Sequence, residues 1–544
     1  MKKVLVAVLI IFLLSGINPF LAQAIFPGEN IVFGNRGQSN EQNNEALMKA
    51  YDLATQKKHK QALTLIEQNI ETSPKLATLH VMKGLVLNEM GEYLLANRAL
   101  NKGLSIEARH PGVQYGFCEV YRNLGMSEPS LQACKIAEEM HIRSPEAHYE
   151  YAQTLIATGK MELANKSLSA AAQLDPQNAQ YHYQRGMNFY YLNRYDAAEK
   201  SFLKALSIDS TDVNSSYQLA YLYAARKKVN LANQQIEKVL RIQKEHPKIH
   251  SAKLLLEYVK KNALDRLPLK IIPHDYHVGR SKSHYRSGDY GLSLIEIETA
   301  ERLKPDNLQI KEILIGLTGF LLRISKTEKA INRMISIVGE TDTATAKGYQ
   351  ELGDIEVLRG NLSKARTYYE KVLKLSDPNG IARQTLDELP EKVGPNTVPL
   401  QRTEVFIDPN IALNRKGELF AQYRMYKRAI AIYSLASRIK PNHLPTMLNT
   451  ATVYYNSENY GKAISILERL LLSFPNHENI LAHRILLAQA YVKSNNRGKG
   501  LKNIAIAIKI NPSAKTAIRA NPVFETLQEM NEYNNLTQSK LVCY

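Results

Sequence analysis

One small residue recurs at Ala62, Ala96, Ser130, Ala164, Ala198 and Ala232, each 34 positions after the last. A unit that short cannot bury its own hydrophobic face and must stack on copies of itself, so this spacing constrains the fold more than any other feature. Prolines keep the same interval. Pro74 and Pro176 lie 102 residues apart, and Pro441 and Pro475 lie 34 apart, with three extra residues before Pro512. Within each unit, apolar residues fall at helical spacing around a Gly or polar turn, such as Thr158-Gly159-Lys160 or Ser287-Gly288-Asp289. No alternating strand pattern is sustained. The expectation is an all-α chain of stacked helix pairs, an α-solenoid.

The stretch AHYEYAQTLIATGKMELANKSLSAAAQLDP at 147–176 resembles the tetratricopeptide repeat. The marks of that family are a large residue, Leu-Gly or Leu-Ala, an aromatic, Ala, an aromatic, Ala and Pro. In the unit starting at 179 these places hold His182, Arg185-Gly186, Phe189, Ala198, Phe202 and Ala205. Small residues at Gly186, Ala198 and Ala205 let paired helices approach, while Phe189 and Phe202 fill the space between them. The resemblance covers most of 43–262 and 410–515 and implies protein binding without catalysis.

Between those stretches the pattern weakens. Units near 274–307 (Gly288, Tyr290, Pro305) and 346–379 (Gly353, Gly360, Ala365) keep part of it, and 308–345 matches loosely through Ala330. Breaks fall at LDRLPLKIIP (264–273) and at 378–409, where Pro378, Pro390, Pro395, Pro399 and Pro409 preclude long helices. The expected organisation is three arrays: 43–262, a degenerate middle array at 274–379, and 410–515 beyond a Pro-rich connector at 380–409. A capping helix and tail occupy 516–544.

The first residues read MKKVLVAVLIIFLLSGINPFLAQAIF: two lysines, an apolar run, a helix-breaking Asn18-Pro19 and then Ala22-Gln23-Ala24. This is the layout of a signal peptide (1–24) cleaved after Ala24, which places the chain in the periplasm or outside the cell. The alternative is an uncleaved anchor. IGLTGFLLRI, whose apolar run is bounded by Glu312 and Arg323, is shorter than the roughly 18 residues a spanning helix needs. Export brings oxidising conditions. Cys118 and Cys134, on the two helices of one unit, are then either joined or two small apolar side chains, and Cys543 is left over.

The sequence has no Gly-rich phosphate loop, His-Glu-x-x-His helix, paired CxxC or Gly-x-Ser-x-Gly elbow, so the expectation is no enzyme, cofactor or metal. NNRGKGLKN around Gly498 imitates a phosphate loop, but Gly500 fills the small-residue place of its unit. His274, His277 and His284 could bind a metal or act as a pH-sensitive hinge. In repeat phase, however, His277 and His284 occupy core-facing places, as do His148 and His182.

Two features suggest binding. Tyr115, Tyr149, Tyr183 and Tyr217 are spaced by 34 and align on the inner, concave face of the family fold. With Tyr190, Tyr191 and Tyr221 nearby, they read either as a groove for a peptide or sugar, or as helix packing. The net charge is +18, and residues 410–520 carry 17 Lys and Arg against 4 Glu and no Asp, a net +13. Arg415, Lys416, Arg424, Lys427 and Arg428 cluster on the first unit of that array, and Lys493, Arg497, Lys499 and Lys502 on the third. Such a field attracts anionic partners or simply solvates a basic face. Export argues against nucleic acid. The expected function is an envelope scaffold holding protein partners, in a polysaccharide-export or envelope or pilus assembly complex. Direct binding of an acidic polysaccharide or cell-wall polymer is the alternative.

Overall fold

The computed structural model describes residues 41–141, 143–242, 248–394, 397–400 and 408–538, together with Val32. The signal segment at 1–24 and Cys543 lie outside the described residues. Among the described residues every regular element is helical, and no helix is long and apolar enough to cross a membrane.

The repeat interval reappears as backbone geometry. Positive φ angles fall at Lys57, Gly91, Gly125, Gly159, Asn193 and Lys227, again 34 apart, and at Arg424 and Glu458. Each is the left-handed residue that stops the first helix of a pair and turns the chain into the second. At Gly125, for example, its N–H reaches the Arg122 carbonyl (3.0 Å) and the Met126 N–H reaches that of Tyr121 (2.8 Å). Helix starts are equally explicit. Pro111, Pro145 and Pro409 sit in first turns, and Asp212 accepts from the N–H groups of Asn214 and Ser215.

Contacts divide the chain into two compact units, residues 1–314 and 315–544. In the first, α1 (Glu41–Thr55) pairs with α2 (His59–Thr72), and α3 (Ala77–Glu89) with α4 (Tyr93–Ile106). The series continues through α5 (Pro111–Asn123) with α6 (Ser127–Met140) and α7 (Pro145–Ala157) with α8 (Met161–Leu174). Next come α9 (Ala179–Tyr191) with α10 (Tyr195–Ile208), α11 (Val213–Ala225) with α12 (Val229–Ile242), and α13 (Lys248–Lys260). The small-residue rule is visible in each pair: a Cβ on Gly186 would lie 2.6 Å from the Phe202 ring, and Ala198 and Ala205 are fully buried. After α13 the chain turns back. The hairpin α14 (Pro273–Ser287) and α15 (Tyr290–Leu303) packs against first helices of earlier pairs, α15 on both α5 and α7.

Helix α16 (Leu308–Phe320) crosses the division between units. The second unit continues with α17 (Ile324–Val338), α18 (Ala346–Leu358), α19 (Leu362–Leu375) and the short α20 (Ile381–Glu388). Beyond the connector lie α21 (Pro409–Gln422) with α22 (Tyr426–Ile439), α23 (Leu444–Asn456) with α24 (Tyr460–Ser473), and α25 (Ile480–Lys493) with α26 (Arg497–Ile510). Helices α27 (Ala514–Arg519) and α28 (Asn531–Gln538) follow. Phe524, Leu527 and Tyr533 pack with Ala488, Val492, Leu501 and Ile504 of α25 and α26 in one apolar cluster.

The division therefore differs from three arrays. Repeat-like residues at 274–307 fold against the N-terminal stack, and 346–379 belongs with the C-terminal one. The connector does not separate its neighbours. Asp354 of α18 meets Lys416 of α21 (2.6 Å) and Arg428 of α22 (2.5 Å), and the Tyr369 hydroxyl donates to it (2.9 Å). Glu388 accepts from the N–H groups of Lys427 and Arg428, and the Leu400 N–H donates to the Leu358 carbonyl.

Candidate functional site

The tyrosine register lies on the first helices α5, α7, α9 and α11, at one place per helix. Glu150, Gln184 and Gln218 follow the last three members directly, so a polar side chain recurs beside three of the four aromatics. Yet Tyr115, Tyr149, Tyr183, Tyr217, Tyr190 and Tyr221 are all buried. Tyr149 accepts from Gln180 Nε2 (3.3 Å), the Tyr183 ring lies 6.0 Å from that of Phe202, and Tyr190 meets Tyr195 edge-on. Tyr217 carries Lys248 Nζ 4.5 Å from its ring centroid, and burial brings that amine down to about 7. The Tyr221 hydroxyl donates to the Pro268 carbonyl (2.8 Å). The register is present, but this conformation packs it and leaves no open track.

What covers this face is the hairpin. Contacts of the hairpin and the segment leading into it run backward through the repeats: Pro268 on Tyr221, then Tyr276 on Tyr191 with ring centroids 4.9 Å apart, then Gly291 on Asn123 and Gly125. Helix α15 then returns. Thr299 Oγ1 donates to the Ala157 carbonyl (2.9 Å), and Arg302 donates to that of Thr158 (3.2 Å). A Cβ on Gly291 would fall onto the Asn123 carbonyl, so only glycine permits this approach. Tyr276 joins the apolar cluster of Tyr149, Leu155, Ile156 and Tyr181.

His277 and His284, two of the core-facing histidines, belong to this hairpin. His277 is fully buried and its Nδ1 donates to Glu296 Oε2 (2.6 Å), while Arg280 Nε donates to Oε1 (2.5 Å). Burial opposes ionisation of Glu296, but Arg280 and His277 outweigh it and hold the carboxyl below its usual range. Among the described residues no group of three or more His, Cys, Asp or Glu is placed to hold a metal ion.

Beside the hairpin, α3, α5 and α7 converge three carboxylates on one arginine. Arg122 pairs with Glu150 (2.5 Å), and Asn88 Nδ2 donates to Glu119 Oε2 (3.2 Å) and Asn123 Nδ2 to Asn88 Oδ1 (2.9 Å). Glu119 Oε1 and the Tyr115 hydroxyl, both buried, have no hydrogen-bond partner beyond each other. Burial first, then the negative charge of Glu150, raises Glu89 to about 7 and Glu119 well above the carboxylate range.

Cys118 and Cys134 are joined by a disulfide across α5 and α6. On the other side of the stack, a cavity of about 410 Å3 is lined by Glu138, His148, Tyr151, Leu163 and Ser167. His148 Nδ1 and Ser167 Oγ both donate to the same Glu138 oxygen.

The basic residues separate into two groups. Arg424, Lys427, Lys493, Arg497, Lys499 and Lys502 are exposed. Lys416 and Arg428 point inward to Asp354, and Arg415 lies 3.8 Å from Glu418. Sequence alone does not distinguish them, because their acidic partner is 62 and 74 positions earlier, across the proline-rich connector.

Comparison with known proteins gives three matches to family profiles described as tetratricopeptide repeat, at 179–212, 145–178 and 346–379. No curated protein matches the chain. Among solved structures the chain is similar to YrrB, described as a tetratricopeptide-repeat protein with an unusual peptide-binding site (20% identity, 35% of this chain and 97% of that one, TM-score 0.31). It is also similar to Pseudomonas aeruginosa pilF (14%, 41% and 97%, 0.35) and to a thermophilic tetratricopeptide-repeat protein of Thermus thermophilus (23%, 33% and 100%, 0.28).

Proposed function

Because this chain is a tetratricopeptide-repeat protein, whose stacked helix pairs serve as a scaffold for protein–protein interaction, we propose that it is a non-catalytic scaffold of the bacterial cell envelope. Its partners are envelope proteins of a polysaccharide-export or envelope or pilus assembly complex. The observation that carries this reading is the first-helix face of the N-terminal unit, where tyrosine, glutamine and carboxylate side chains recur at the repeat interval. In this conformation those side chains are packed, so what supports the reading is their repeated chemistry. The signal-like segment and the Cys118–Cys134 disulfide support an oxidising compartment outside the cytoplasm.

Photo-crosslinking in the native cell tests it, with an unnatural residue at exposed Leu163 and, separately, at exposed Lys499. A discrete protein adduct is the expected result. A second reading, binding of an acidic polymer by the C-terminal array, is favoured by the exposed set Arg424, Lys427, Lys493, Arg497, Lys499 and Lys502. It predicts a polydisperse, glycosidase-sensitive adduct at Lys499 alone, and binding that weakens steeply with salt.

A further inference from the structure

The C-terminal unit carries the most exposed large apolar side chain among the described residues. Leu472, near the end of α24, is 82% exposed, where the next such residues, Val398 and Ile411, reach 56% and 55%. Its neighbours along the helix are polar or cationic: Lys462, Ser465, Arg469 and Leu472 are all exposed and recur at helical spacing. Helix α26 repeats the mixture. Its exposed Lys502, Ile506, Lys509 and Ile510 fall on one stripe, cation and aliphatic in turn.

Repeat phase shows how these stripes interleave. Counted from the first residue of each second helix, one place holds Leu435 in α22, Arg469 in α24 and Ile506 in α26, and the place three residues on holds Arg438, Leu472 and Lys509. Stacked repeats set equivalent places side by side, so an aliphatic side chain on one helix has cations on the next. In the N-terminal unit the later place holds Ser105, Glu139, Gln173, Ser207 and Arg241, with no aliphatic residue at all. Among the exposed residues of α22, α24 and α26 the acid is Glu468 alone, and the Tyr491 hydroxyl donates to it. Ion pairs in this array engage Arg415, Lys416 and Arg428, while Arg438, Arg469, Lys502 and Lys509 stand exposed.

A soluble polyanion is met by charge, and an aliphatic side chain set between the cations gains nothing from it. An anionic bilayer satisfies both kinds of residue: headgroup charge for the cations, and the acyl boundary just beneath for Leu472, Ile506 and Ile510, with Lys and Arg stems lying along it. We propose that the solvent-facing side of α22, α24 and α26 is a peripheral docking surface for an anionic lipid bilayer, with Leu472 as the inserting residue. This goes beyond the scaffold and polymer readings and rests on neither, because purified lipid tests it without a partner.

The chain contains no tryptophan, so Leu472→Trp places a single fluorophore at the proposed point of entry. The full chain, processed by and purified from its own cells, is titrated with vesicles of phosphatidylglycerol and phosphatidylcholine in equal parts, and with phosphatidylcholine alone. Emission should shift to the blue on the anionic vesicles and be quenched when their acyl chains carry bromine, and it should stay unchanged on phosphatidylcholine. Leu163→Trp, at an exposed position of α8 in the N-terminal unit, is the control and should show neither effect. Adding Arg438→Glu and Lys509→Glu to Leu472→Trp should weaken vesicle binding on the order of tenfold or more. All four positions are exposed, and an unchanged unfolding midpoint shows that each variant is folded. Emission at position 472 that ignores anionic vesicles overturns the proposal. So does equal quenching at 163 and 472, which is adsorption without a docking face. Binding of a soluble acidic polysaccharide by a chain that brominated lipid leaves unquenched also overturns it, and assigns the cations to the polymer reading. Crosslinking in cells scores the scaffold reading separately.

Discussion

Single positions in this chain are decided by steric demands that repeat every 34 residues. Gly186 faces Phe202 so closely that Gly186→Val should cost about 2–3 kcal/mol, read as a lower midpoint in urea unfolding of the N-terminal unit. The opposite is expected at Glu458, which holds a φ of 62° where other turns have glycine. Glu458→Gly removes a left-handed strain of about 1–2 kcal/mol at some cost in chain entropy, so a net gain of about 0.5–1 kcal/mol should appear in the same assay. Glu89 gives the N-terminal unit a pH signature. Its folded carboxyl is raised from 4.5 to about 7 by burial and Glu150, so the folded state favours the protonated form. The contribution of Glu89 to stability should fall as pH rises from about 4.5 to about 7 and level off above that, and Glu89→Gln should remove that part of the decline. The comparison is denaturation midpoints at a series of pH values. The glycine requirement was legible from the family-like pattern. The carboxylate cluster was not, because Glu89, Glu119 and Glu150 look like ordinary surface residues until three helices bring them together.

At the scale of helices, the pairs and their turns were readable because everything that specifies them is local: apolar spacing, a left-handed stop, a proline or Asp at the start. The hairpin at 273–303 shows where that legibility ends. Its residues carry the marks of one more repeat, yet what places it is Gly291 against Asn123 and Thr299 against Ala157, contacts that no period encodes. The disulfide is the other element-level device. It ties α5 to α6 within one pair across a separation of 16 residues, so replacing both Cys118 and Cys134 by Ser should cost about 3 kcal/mol by chain-entropy arguments. Thermal unfolding with and without reductant gives the same comparison in the wild type.

Across the whole chain, the excess of positive charge does not translate into a uniform basic surface. Lys416 and Arg428 are consumed by Asp354, whose buried carboxyl those two cations hold down to about 2 against the cost of burial. That pairing is present at pH above about 3.8 and is lost as pH falls through about 2. Asp354→Asn leaves buried Arg428 and Lys416 with only Glu351, 3.3 Å from Lys416, as a nearby carboxylate and should destabilise the C-terminal unit by about 3 kcal/mol, loosening α18 and α21 together in hydrogen exchange. Arg424→Ala at the exposed end of the same array should change stability by less than about 0.5 kcal/mol. The hairpin finally sets a schedule for the chain's own production. Ala157 is made 142 residues before Thr299, the residue that will cap it. At about 5–20 residues per second, a growing chain carries that tyrosine face without its hairpin for roughly seven to thirty seconds, an interval in which its aromatic side chains stand open to solvent and to other chains.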